Sequence, residues 1–139
     1  MTGPDQRAVS AASRAWRAAD AVMVLLFTFA ALLQLNDPDP VRWFTIYGLA
    51  AVACLLSVLR RLRWALPALL CVVALAWAAT IAPRVVGRVP FGDMFGAWEM
   101  KNAGIEESRE MYGLLIVAAW MAVLALRARL NPARERVAP

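Results

Sequence analysis

The sequence predicts an all-α integral membrane protein, an up-down bundle of four transmembrane helices with a short interfacial helix in the outer loop. Three observations carry that prediction. The chain is 62% hydrophobic and 18% charged, with a mean hydropathy of +0.58. Its apolar residues fall into four runs, and three of these hold about 19 or 20 residues, which matches a hydrocarbon core of roughly 30 Å. Apolar residues occupy every face of those runs, unlike the single stripe of a soluble surface helix. The 139 residues make one domain, because the spans leave no room for a separate soluble core.

The spans are placed at about 16–35, 41–59, 64–82 and 106–126, with cytoplasmic tails over 1–14 and 129–139. The first carries Arg14 and Arg17 in front and small residues near Ala30, as a cleaved signal peptide would. Its apolar run continues to Leu35 and further spans follow, so it reads as a retained span. The fourth has its apolar part from Met111 to Leu126, only ~24 Å of helix. A polar first turn from Glu106 extends it to the interface.

Between the first two spans lies Asn36-Asp37-Pro38-Asp39-Pro40-Val41. Each proline pushes the residue before it out of the helical region, so Asp37 and Asp39 are expected to be extended. Pro40 suits the first helical position, where no N–H is needed. Asp39 then stands at the N-cap, able to accept from a free backbone N–H, while Asp37 has no evident capping duty. Asn36 can close the first helix in a left-handed conformation. Trp43 and Tyr47 fall in the first turns of span two, where an aromatic belt would place them.

Residues Pro83 to Glu110 form the one long connection. Phe91, Met94, Phe95 and Trp98 share one helical face, and Pro90 suits a helix start. This is the expected interfacial helix. Glu106, Arg109 and Glu110 follow on a common face at the start of span four. Carboxylates there complement the helix dipole as solvated charges. Alternatively they turn inward with Arg109, since ionisable groups at membrane depth usually pair or serve a site. Arg109 is expected to pair with Asp37 or Asp39.

Charge sets the orientation. Arg7, Arg14, Arg17, Arg60, Arg61, Arg63, Arg127, Arg129, Arg134 and Arg136 lie on one side, while Arg42, Arg84, Arg88, Lys101 and Arg109 lie on the other. The richer side is predicted to be cytoplasmic, which puts both termini inside and the acidic hinge outside. The basic residues cluster at the ends of apolar runs, so the pI of about 10.2 reflects topology and not nucleic-acid binding. The Arg and Ala bias resembles a GC-rich bacterial genome and points to a cell inner membrane. Histidine is absent. The commonest general base and metal ligand are therefore missing. Cys54 and Cys71 form no C-x-x-C and read as packing residues.

Gln34-x-Asn36-Asp37-Pro38-Asp39-Pro40-x-x-Trp43-x-x-x-Tyr47, then Trp77, then Glu106-Glu107-x-Arg109-Glu110-x-x-Gly113-Leu114 and Trp120 resemble transmembrane protein family 220. The resemblance covers about residues 20 to 126. It implies a small four-helix membrane protein and highlights the outward polar motifs. It supplies no reaction, cofactor or metal.

The candidate outer polar site comprises Gln34, Asn36, Asp37, Asp39, Trp43, Tyr47, Glu106, Arg109 and Glu110. The leading expectation is a non-enzymatic accessory or interaction subunit, in contact with the lipid bilayer and a membrane protein partner. The alternative is a membrane enzyme or divalent-metal-binding protein using the outer carboxylates, whose oxygens suit a hard cation. A small transporter is a third class. It would need oligomers, since four helices enclose little volume. No catalytic residue is assigned.

Overall fold

The computed structural model describes residues 4–37, 39–88, 90, 92 and 103–130, so the expected interfacial helix over 91–100 lies outside the described residues. Among the described residues four α-helices follow one another: α1 (Pro4–Leu33), α2 (Pro40–Val58), α3 (Ala65–Val85) and α4 (Ala103–Leu130). Each is long and apolar enough to cross a membrane. The protein is an integral membrane protein.

The helices overrun the apolar runs. α1 begins at Pro4, twelve residues before the expected span. Its early turns hold Gln6, Arg7, Ser10 and alanines, which are compatible with helix and face water once past the lipid. Thirty residues make ~45 Å of helix, so about a third of α1 stands clear of the hydrocarbon core. α3 carries Pro67 in its first turn, where the missing N–H has no helical partner to lose. It continues through Pro83 to Val85. Val86 is extended, and Gly87 adopts φ 75° to turn the chain.

α1 packs along α2 and α3 along α4, and the two hairpins meet through α2, which touches both α3 and α4. Small residues make that central position possible: Ala50, Ala53 and Cys54 of α2 are fully buried. Opposite them stand Ala74 and Ala78 of α3 and Leu114, Val117, Met121 and Leu124 of α4. Without a hydrophobic drive between helices in lipid, close backbone approach and dispersion hold such a bundle. Leu25, Leu26, Phe29, Val72 and Ile116 are exposed around its circumference, as lipid-facing residues are.

The α2–α3 connection is a tight cap. Arg61 N–H donates to Leu56 O and Arg60 N–H to Ser57 O, the paired bonds of a Schellman motif. The left-handed residue this requires is Arg60, at φ 58°, where glycine is usual.

Near that end the bundle contains a buried ion pair. Asp20 of α1 is 0% exposed. Arg127 of α4 grips both its oxygens, Nη1 to Oδ1 at 2.9 Å and Nη2 to Oδ2 at 3.2 Å. The Ser57 hydroxyl of α2 donates to Oδ2 at 2.7 Å. Arg127 also lies 4.4 Å from the Trp16 ring. One carboxylate thus ties three helices, and it joins α1 to α4, whose backbones do not touch.

Candidate functional site

The hinge sits at the other end of the bundle. α1 does not end in a left-handed Asn36. The chain tightens into a 3₁₀ turn over Gln34–Asn36, closed by Asp37 N–H on Gln34 O at 3.0 Å. This turn satisfies a late carbonyl without a left-handed residue. Asp37 is extended at φ −74°, ψ 147°, as a residue before proline should be.

The two aspartates exchange their expected duties. Asp39 occupies the N-cap position of α2 at φ −120°, ψ 60°, but its side chain caps nothing. Arg42 one turn on takes the Asp39 carboxylate at 2.7 Å instead. Asp37 does the local capping instead: its Oδ1 accepts the Asp39 N–H at 2.9 Å. That closes an Asx turn around the hinge. Asp39 thus takes a partner three residues away on the same helix.

Eight of the nine expected residues line a single cavity of about 420 Å³. Gln34, Asn36 and Asp37 come from the hinge, Trp43 and Tyr47 from α2, and Glu106, Arg109 and Glu110 from α4. Leu33 of α1 completes the lining. Asp39 alone lies outside it, exposed with Arg42. Within the cavity, carboxylate oxygens of Asp37, Glu106 and Glu110 all lie within 4.8 Å of one another, and each residue is half-buried. Residues about seventy positions apart in sequence thus present three acids to one point, with donor chemistry suited to a hard cation or another positive group.

An aromatic stack backs the site. Trp43 is 1% exposed and lies against Trp77 of α3, ring centroids 4.4 Å apart and nearly parallel. Tyr47 also stacks with Trp43 at 6.4 Å, and Phe27 of α1 follows at 6.5 Å from Tyr47. Arg42 lies 5.7 Å from both tryptophan rings. The Trp43 indole N–H is buried with no acceptor among the described residues. Tyr47 reaches α4 at Gly113, where a Cβ would overlap its hydroxyl. Glycine there allows the phenol to lie on the helix backbone. Ser108 of α4 is buried and donates to Gly104 O at 2.7 Å, so it turns back onto its own helix. Arg84 at the end of α3 bonds Glu107 at 2.7 Å, bracing the two helices beside the cavity.

The candidate residues from sequence lack Leu33, Trp77, Asp20, Ser57 and Arg127. Trp77 was visible only as a lone tryptophan, and its stacking partner depends on how α3 meets α2. Asp20, Ser57 and Arg127 form the second polar cluster. Its one sequence signal is a carboxylate inside an apolar run, with a basic residue just past the last run.

The chain matches the family described as transmembrane family 220, helix, over residues 26–126. It is 32% identical over 114 residues to the Xenopus laevis protein named Transmembrane protein 220, an alignment covering 78% of this chain and 57% of that relative. The chain thus spans little more than half of the relative's length. No solved structure matches. The relative is an animal protein, so the bacterial inner membrane is carried by composition alone.

Proposed function

The chain belongs to transmembrane family 220, and from that premise we propose that it is an accessory or interaction subunit of the membrane that binds at its hinge end. One observation carries this reading. Hinge, α2 and α4 residues from opposite ends of the sequence converge on one acidic, aromatic-backed cavity. Cavities of a few hundred cubic ångströms with a few convergent polar groups are the usual form of a ligand site. Three carboxylates clustered where a single capping residue would suffice are costly to hold together. They make sense as a surface for a positively charged group on a partner or ligand.

The reading includes an orientation: the hinge end faces outward and both termini face the cytoplasm. The basic excess at the opposite end supports it. Composition supports a bacterial inner membrane. In a background lacking Cys54 and Cys71, an impermeant thiol reagent should label Gly92→Cys in intact cells and leave Arg61→Cys unlabelled. The reverse pattern would invert the topology.

The binding reading is tested by mild detergent purification and native mass spectrometry. A bound species should accompany the wild-type chain and Asp39→Asn, and be lost from Asp37→Asn and Glu110→Gln. A species retained equally by all four would place binding elsewhere, and a bare chain in every case would remove the proposal.

A further inference from the structure

We propose that the end of the bundle opposite the cavity binds anionic phospholipid headgroups, at a corner where Arg129 of α4 lies on Trp64 beside Arg61 and Arg63. The proposal stands independently of how the cavity is read.

Charge sets this end apart. Residues 13–20, residues 59–64 and the last turn of α4 hold seven arginines and one acid, Asp20, a formal excess of six positive charges. Asp20 is buried and engaged by Arg127. The other six, Arg14, Arg17, Arg60, Arg61, Arg63 and Arg129, are exposed, and none has a carboxylate partner among the described residues. Side-chain contacts hold the four helices together at this level: Asp20 meets Ser57 and Arg127, and Arg129 reaches Trp64 at the start of α3. Clusters of about four to eight basic residues beside a membrane span attract anionic lipid.

A basic excess alone would only orient the chain. Depth and chemistry add a phosphate. Trp64 directly precedes α3, whose 21 residues make ~32 Å of helix, about the thickness of the hydrocarbon core. Its ring, 44% exposed, therefore stands at the headgroup boundary, where tryptophan is enriched. The Arg129 guanidinium lies 5.5 Å from the centre of that ring, within reach of cation–π attraction. Stacking holds the planar fork at headgroup depth and leaves its N–H edge open. Arginine is the side chain whose fork takes a phosphate through two parallel bonds, and every basic residue of this cluster is arginine.

The α1 side shows the contrast. Trp16 carries Arg127 at 4.4 Å, but that fork is already taken by both oxygens of Asp20. At Trp64 the stacked arginine has no such acid among the described residues, and Arg63 adjoins the same tryptophan in the chain. Below the corner, Leu69, Val72 and Val73 of α3 are exposed and apolar. A phospholipid fits both parts, its phosphate on the arginines and its acyl chains along α3. A soluble anion fits only the first.

The test uses the full chain in neutral detergent, titrated with dioleoylphosphatidylglycerol or dioleoylphosphatidylcholine. Native mass spectrometry reads binding, and melting temperature is followed alongside. The proposal expects phosphatidylglycerol to bind at least about tenfold more tightly, to raise the melting temperature, and to weaken as salt is added. Arg61→Gln, Arg63→Gln and Arg129→Gln should each weaken it about threefold to fivefold, as loss of one arginine at a membrane surface does. Trp64→Leu keeps every charge and should still cost about twofold to fivefold, by releasing the Arg129 fork. Arg88→Gln removes an exposed arginine beyond the far end of α3 and should change binding by less than about twofold. Equal binding of the two lipids would overturn the proposal. So would equal losses in Arg88→Gln and the corner variants, which would reduce the effect to net charge. Glycerol 3-phosphate displacing the lipid at equal concentration would make this a site for a soluble anion and remove the lipid. An acidic protein lost from the corner variants while phosphatidylglycerol stays bound would make it a protein surface instead.

Discussion

Removing Arg127 should destabilise the protein more than removing its partner Asp20. The carboxylate is 0% exposed and takes three hydrogen bonds, two from the guanidinium and one from Ser57. The Arg127 side chain is 19% exposed. Breaking a buried ion pair costs about 3–5 kcal/mol, mainly because one charge is left uncompensated. The two survivors differ in how they escape. In Arg127→Met, the short Asp20 side chain has nowhere to go and keeps only Ser57, so the loss is placed at about 3–4 kcal/mol. In Asp20→Asn, the amide oxygen still accepts a bond, and the long Arg127 side chain, three residues before the end of α4, can extend to the interface. That loss should be about 1–2 kcal/mol. The double variant should fall short of the sum by about 1–2 kcal/mol, the coupling expected of direct contacts. Reversible unfolding in mixed micelles, with each variant's folded state checked by circular dichroism, measures all four corners of the cycle. Equal single losses would refute the argument from side-chain escape, and strict additivity would refute the contact itself.

Gly113→Ala should cost about 1–3 kcal/mol by overpacking against the Tyr47 hydroxyl. The same change in a Tyr47→Phe background should be neutral or stabilising by up to about 1 kcal/mol, since alanine is the better helix former. Thermal melts of the four proteins decide this, and an equal cost in both backgrounds would sink it. Arg60→Gly should stabilise by about 0.5–1 kcal/mol, because a left-handed residue with a Cβ costs about 1–2 kcal/mol and the lost charge at the helix end returns only part of that. Arg60→Ala keeps the strain, loses the charge and should destabilise. Denaturant midpoints moving the same way for both would show that the cap conformation is not what matters.

The spans were legible because lipid imposes one requirement on each: about twenty apolar residues in a helix that satisfies its own backbone. Helix ends were less legible, since α1 extends to Pro4 through residues that are polar but helix-compatible. The cavity residues were readable as motifs because charges and prolines stand out between apolar runs. What each does was not. Whether Asp37 or Asp39 caps depends on the hinge aiming the Asp39 N–H at Asp37 and on Arg42 lying one turn from Asp39. The Asp20 cluster was the least visible. A single aspartate near the end of a span looks like an interfacial residue, and only the packing of α1 and α4 against α2 brings Arg127 to it.

That ion pair also has a history in time. Asp20 and Arg127 are 107 residues apart. At about 5–20 residues per second, translation delivers the arginine about 5–20 s after the aspartate. During that interval the first hairpin is in the membrane with an acid that has only the Ser57 hydroxyl to lean on. A chain that stops before α4 keeps that acid without its arginine, so the clasp closes only once α4 has been made.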